Sequence, residues 1–345
     1  MVVIGSLILA LSGLMIGCQT TGETADVAAS ETQQSVESAE VSTTVSTEGL
    51  EGKKIGFVQL TLGTTYHAAM SDKFEALCEE NNIELSMVAS ANRSAEEQLK
   101  LAEDLIAQGV DALVLNPVGD EIVPKIVQLT KEANIPLICV DNTSPGEGYT
   151  YIGIDNFAIA RGIGQYIGEK YDGGNVVYVR STATDTGCPA FRFGGIMGGI
   201  SDEGEVAKFN LIDERYAMSD VGESDGMKQM EELLAANDVI DIVIAHHDGQ
   251  GLGALTAIEN SGRTDIKVMA GFDGELKLME AIKENQGGEN GVDIVTGLNS
   301  PTMIAEMTLN TLSEYFSGNE INSSYYIPVI IVSYENVDEY MQYGF

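Results

Sequence analysis

One structural plan is written twice along this chain, and that repetition constrains the fold more than any other feature. The apolar run Ala112-Leu113-Val114-Leu115 is opened by Asp111 and closed by Asn116. Its counterpart, Ile242-Val243-Ile244-Ala245, is opened by Asp241 and closed by His246 and His247. The next apolar run ends at Asp141 in the first half and at Asp273 in the second. The two aspartate pairs are offset by 130 and 132 residues, so the register hardly drifts.

Between these runs the hydrophobic period changes from that of strands to that of helices. In the first half strands are predicted at Lys54–Leu60, Ile83–Val88, Asp111–Pro117 and Asn134–Asp141. Helices are predicted through Tyr66, Met70, Phe74, Leu77 and Cys78, over Ser94–Gln108, and over Ile122–Ala133. Ser94 reads as an N-cap with Glu97 completing a capping box, and Gly109 ends that helix. The second half repeats the scheme, with strands at Asn175–Arg180, Lys208–Ile212, Asp241–Asp248 and Ile266–Gly274. Its helices fall around Phe191–Ile200, Ser224–Ala235 and Gly251–Ser261. Strands separated by helices in this rhythm make a parallel sheet with helices on both faces. The fold class is therefore α/β, with two similar doubly wound parallel-sheet lobes. Open parallel sheets bind ligands beyond the carboxyl ends of their strands, where both halves place polar residues. Two such edges facing each other define one interdomain cleft.

A chain of 345 residues with 44% hydrophobic content is long enough for two such lobes. Its 18 basic and 53 acidic residues give a net charge of −35, which excludes a nucleic-acid partner because no basic surface exists to release counterions. Val2 to Ile16 is almost wholly apolar, the length of a signal-peptide core and too short for a membrane span. It runs into Leu14-Met15-Ile16-Gly17-Cys18, which resembles the lipobox of bacterial lipoproteins, although no Lys or Arg precedes the run. In that reading residues 1–18 are a signal peptide and Cys18 is the lipidated residue. Residues 19–51 hold seven acids and no basic or aromatic residue. Such a stretch buries too little apolar area to offset its ordering entropy, so a disordered acidic tether is expected there.

Cys78 and Cys139 fall in a helical and a strand pattern and read as core thiols; with Cys188 their number is odd, and one disulfide stays open. His246-His247-Asp248 invites a metal site. Adjacent strand residues point to opposite faces, and His67 is the one other imidazole, so no metal is expected. Gly249-Gln250-Gly251-Leu252-Gly253 lacks the glycine spacing of a dinucleotide loop and reads as a tight turn. Ser181 and Thr182 have no base nearby, and no cofactor is expected. Met218, Met227 and Met230 read as core filling.

Several phrases, in this order and spacing, resemble the ribose- and galactose-binding branch of the type I periplasmic binding proteins. They are Lys54-Ile55-Gly56-Phe57-Val58, Gly109-Val110-Asp111 through Asn116-Pro117, and Asn134-Ile135-Pro136-Leu137-Ile138 with Asp141. Gly153-Ile154-Asp155-Asn156 and Gly271-Phe272-Asp273-Gly274 complete the set. The resemblance covers residues 53 to about 335, and no helix-turn-helix segment precedes it, which disfavours the related LacI-type repressors. It implies three hinge crossings, near Ile154-Asp155, Leu298-Asn299 and Ile327-Pro328. The N-terminal lobe then comprises 52–154 and 299–327, and the C-terminal lobe 155–298 and 328–345.

By position the resemblance implies ligand contacts from Thr64, Tyr66, His67, Asn116, Asp141 and Asn142 on one lobe. The other lobe supplies Phe191 or Arg192, His247 and Asp273, and the hinge supplies Asn299. Three positions depart from the family pattern: Asn142 stands where many sugar binders carry Arg, His67 where a second aromatic is expected, and His247 where an Asn is expected. The chain has no Trp, so any stacking platform is Tyr, Phe or His. Loss of guanidinium groups disfavours an anionic ligand. The blander reading of Asp141 and Asp273 is that they cap helices at strand ends.

The implied function is that of a lipid-anchored, extracytoplasmic solute-binding protein of an ABC importer. It is expected to be a monomer and not an enzyme, capturing a neutral sugar by hinge closure and passing it to permease subunits. The alternatives are a sensor of the same fold feeding a chemoreceptor or kinase, and an exported metal-assisted hydrolase using His246, His247 and Asp248. On the leading reading, Asp273→Ala abolishes binding while the melting temperature of the empty protein stays nearly unchanged.

Overall fold

The computed structural model describes residues 45–89, 94–181, 188–203, 206–217, 222–289 and 291–345. The apolar leader, Cys18 and most of the expected tether lie outside the described residues, as do Thr182 and Met218. The first half runs β1 (Lys54–Gln59), α1 (Thr65–Glu80), β2 (Glu84–Ala89), α2 (Ala95–Ala107), β3 (Ala112–Leu115), α3 (Val123–Ala133), β4 (Leu137–Val140) and β5 (Thr150–Gly153). The second runs α4 (Asn156–Lys170), β6 (Gly174–Arg180), α5 (Cys188–Asp202), β7 (Phe209–Tyr216), α6 (Glu223–Ala236), β8 (Ile242–Ala245), α7 (Asp248–Ser261), β9 (Val268–Ala270), α8 (Leu276–Asn285) and β10 (Asp293–Gly297). The remainder forms α9 (Pro301–Phe316), β11 (Ser324–Tyr326), β12 (Ile331–Val332) and α10 (Val337–Tyr340).

Two sheets result, with the same strand order. The first is β2-β1-β3-β4-β5-β11 and wholly parallel. The second is β7-β6-β8-β9-β10-β12, parallel except for β12. The repeated aspartates make the same bond in each: Asp111 accepts the backbone N–H of Lys54 at 2.8 Å, and Asp241 that of Asn175 at 2.8 Å. The chain passes between the sheets after β5 through Ile154 and Asp155, after β10 through Leu298 and Asn299, and after β11 through Ile327 and Pro328.

Strand alternation sends Ile55 and Phe57 into one core, with α1 and α9, and Val58 into the other, with α2 and α3. In the second lobe α4 and α5 pack backbone to backbone. A Cβ on Gly199 would lie 2.0 Å from the Arg161 carbonyl oxygen, and one on Gly164 2.0 Å from that of Ile196. This contact seats α5, and with it Arg192, against the first turn of α4.

Several expectations need correction. Asp248 opens α7 instead of ending a strand, and the glycine-rich segment after it is the first turns of that helix, not a tight turn. Strand β5 and the strands after residue 290, β10, β11 and β12, are not among those the hydrophobic pattern predicts. The tether does not extend to Glu51. Leu50 is fully buried, Ser46 donates its backbone N–H to Asn310 at 2.7 Å, and Ser313 bonds the Glu48 carbonyl at 2.8 Å. The surface of α9 offers this acidic segment both an apolar seat and polar partners, which its own composition does not reveal.

Candidate ligand-binding cleft

A cleft of about 600 Å³ lies between the carboxyl ends of the two sheets. Both strand-end aspartates reach it from loops with positive φ, 60° at Asp141 and 121° at Asp273. Asp and Asn adopt such backbone more readily than other side-chain-bearing residues.

In the second-sheet half, Arg192 organises the floor. Its guanidinium donates to Asp273 Oδ1 at 2.9 Å, to the His246 carbonyl at 2.9 Å and, through Nε, to Asn156 Oδ1 at 3.0 Å. It also lies 3.7 Å over the Phe272 ring, a cation–π contact that holds the group flat. His247 Nδ1 is 2.9 Å from Asp273 Oδ2. Burial works against the Asp273 charge, yet Arg192 and the His247 hydrogen bond hold its carboxyl below the usual range. Behind this layer Asp248 accepts from the backbone N–H groups of Gly274 (2.6 Å) and Glu275 (2.8 Å) and from Thr296 (2.7 Å), which pins the loop that carries Asp273.

In the first-sheet half, the single phenolic proton of Tyr66 is shared between Asp141 Oδ1 at 3.1 Å and Asn299 Oδ1 at 3.0 Å. This links a helix of one lobe to a crossing between the lobes. Burial, reinforced by the Asp141 and Asp273 charges, keeps that phenol protonated, its pKa well above the ordinary value. Asn116 donates to Asp141 Oδ2 at 3.2 Å and receives the Asn142 backbone N–H at 3.3 Å.

Of the positions marked in the sequence, Tyr66, His67, Asp141, Asn142, Phe191, Arg192, His247, Asp273 and Asn299 line the cleft. Thr64 and Asn116 do not. Thr64 is the N-cap of α1 and contacts the His67 ring, and Asn116 is fully buried behind Asp141. Tyr151, Tyr326, Asn156 and Cys188 also line it and were not marked. Asn156 stood within a quoted family phrase, but its role as the Arg192 acceptor depends on the packing of α4 against α5. The adjacent histidines diverge: His247 faces the cleft, and His246 turns inward with its ring 3.4 Å from the Tyr178 hydroxyl. Burial, with His247 and Arg192 adding to it, holds His246 well below its ordinary pKa and so neutral. No group of three His, Cys, Asp or Glu among the described residues is placed to hold a metal ion.

The family model for the periplasmic binding protein domain matches residues 55–320. The chain belongs to that family. This periplasmic binding protein is 27% identical over 299 residues to the ribose import binding protein of Escherichia coli, covering 86% of this chain and 96% of the relative. A solute binding protein from Actinobacillus succinogenes 130z, solved with bound D-allose, superimposes with a TM-score of 0.73 at 22% identity, covering 84% of this chain and all of that one. Another, from Bacillus halodurans C-125 with bound myo-inositol, does so with a TM-score of 0.70 at 23% identity, covering 87% of this chain and 99% of that one. The type I fold, two parallel-sheet lobes with the cleft between them, is common to all.

Proposed function

We propose that this binding protein captures a sugar outside the cytoplasmic membrane and presents it to an ABC-type importer. The observation that carries this reading is the convergence of Asp141 and Asp273, one from each sheet's carboxyl edge, on a single cleft. Carboxylates and amides there can match hydroxyl donors and acceptors, while Tyr66, Tyr151 and Phe191 offer apolar ring faces. The relatives named for ribose import, and the neighbours holding D-allose and myo-inositol, support the ligand class.

In this reading the nine marked residues that line the cleft touch the ligand, Asn116 holds Asp141 from behind, and Thr64 holds His67 at the cap of α1. The lobes, 52–154 with 299–327 and 155–298 with 328–345, close about the three crossings. No covalent step is involved, so selectivity rests on hydrogen-bond matching. Cys18 carries the lipid anchor, the protein acts as a monomer, and the closed form meets the permease subunits. The test is a thermal-shift screen against sugars, polyols, nucleosides and amino acids, since a ligand specific for the folded state raises the melting temperature. A shift with a sugar supports the reading, and a shift confined to amino acids or nucleosides overturns the ligand class. Stimulation of the permease ATPase by the loaded protein separates import from sensing.

A further inference from the structure

Three parts of the cleft are held from behind by one short segment, Tyr343-Gly344-Phe345, whose residues do not line the cleft themselves. The hydroxyl of Ser300, which is fully buried and follows Asn299, donates to the Tyr343 carbonyl at 2.7 Å. A Cβ on Gly344 would lie 3.1 Å from the Gly274 carbonyl oxygen, so the chain there runs directly against the loop that carries Asp273. The Phe345 carbonyl accepts the backbone N–H of Leu276 at 3.0 Å, filling one of the donors left open at the start of α8.

The third contact is between rings. Phe345 and Tyr66 meet edge to face, their centroids 5.4 Å apart and their planes at 80°. His67 meets the same tyrosine at 5.2 Å and 87°. Ring quadrupoles favour this arrangement over a face-to-face one, so each contact is directional. Direction matters at Tyr66 because hydrogen bonds weaken steeply with angle. Its hydroxyl serves Asp141 at 3.1 Å and Asn299 at 3.0 Å only while the ring keeps its orientation. His67 is the neighbour of Tyr66 on α1 itself, whereas Phe345 reaches it from a segment bonded to α8.

We propose that Phe345 is a positioning residue of the binding site: its ring holds that of Tyr66 so that the phenol stays on Asp141 and Asn299. Phe345 thereby sets ligand affinity without touching the ligand. This rests on the sugar-capturing reading above.

The experiment is calorimetry on the whole protein with ribose, D-allose and myo-inositol, in a double-mutant cycle of Phe345→Ala and Tyr66→Phe. Phe345→Ala is expected to weaken binding about three- to tenfold, the worth of one aromatic pair, and Phe345→Tyr to restore it because the ring is kept. With the hydroxyl already absent in Tyr66→Phe, adding Phe345→Ala should cost little more. An equal loss in both backgrounds, or no loss in the first, overturns the positioning role and leaves sugar capture standing. A second measurement needs no sugar and decides the case in which the wild type binds none of the three. In the ligand-free crystal structure of Phe345→Ala the Tyr66 hydroxyl is expected to have left Asp141 or Asn299. A hydroxyl still within hydrogen-bond distance of both overturns the role, whatever the sugars do.

Discussion

Arg192 and Asp273 meet at 2.9 Å in the floor of the cleft, their side chains only 6% and 14% exposed. The pair joins α5 to the loop after β9, and each partner is further tied, Arg192 to Asn156 and the His246 carbonyl, Asp273 to His247. Two charges this far from water hold their place because almost every hydrogen-bonding direction is filled. The same residue that lines the cleft therefore also compensates a buried cation.

That double role reverses the expectation that Asp273→Ala spares the empty protein. Removing the carboxylate leaves Arg192 buried without its counter-charge, which costs about 3–5 kcal/mol. The unfolding free energy of ligand-free Asp273→Ala, read from urea titration, should fall by about that amount, with a lower midpoint and binding lost, while Asp273→Asn falls less. An unchanged midpoint would mean that Arg192 finds water in the empty state.

Asp248 yields a pH dependence of stability. Burial, with the Asp273 charge adding and three hydrogen bonds opposing, raises its carboxyl from 3.8 to about 7. An acid with a raised folded-state value holds its proton more tightly when folded. Its contribution to stability is therefore greatest below the unfolded value, falls as pH rises from about 4 to 7, and stays low above that. Asp248→Asn removes this slope, so the variant should gain on the wild type between pH 4 and 8 in urea titrations. A difference that stays constant over the range would show that the three donors keep the carboxylate ionised.

Among the described residues, Cys78, Cys139 and Cys188 form no disulfide with one another. Burial pushes the Cys78 thiol up to about 11 and Cys139 higher still, whereas Cys188 lines the cleft. Only thiolate reacts. A thiol reagent should modify Cys188 first among the three, and a bound sugar should slow that reaction. Mass spectrometry of the labelled peptides checks both points; early labelling of Cys78 would contradict the packing of α1.

Gly199→Ala should disturb stability and site together. The new methyl group would lie 2.0 Å from the Arg161 carbonyl and 2.7 Å from the Gln165 nitrogen, both backbone atoms that cannot swing aside. Separating α5 from α4 is expected to cost about 1–3 kcal/mol and to weaken ligand binding by displacing Arg192. Gly194→Ala on the same helix meets nothing within 4 Å and serves as the control. Equal melting temperatures for the two variants would refute the backbone contact.

The sequence by itself determined the doubled α/β plan, its parallel sheets and the polar residues at their carboxyl ends. Those features follow from hydrophobic period and capping, which act over a few residues, as at Ser94, whose side chain accepts from Glu97 as read. Only the tertiary structure decided which side chains converge. Thr64 and Asn116 do not line the cleft, because Thr64 caps α1 against His67 and Asn116 is buried behind Asp141. Asn156 entered it from the first residue of α4, and Tyr151 and Tyr326 from the short strands β5 and β11 beside the crossings. Leu50 left its acidic segment for the groove on α9. Each of these depends on contacts between residues far apart in sequence, where packing and charge compensation outweigh local propensity.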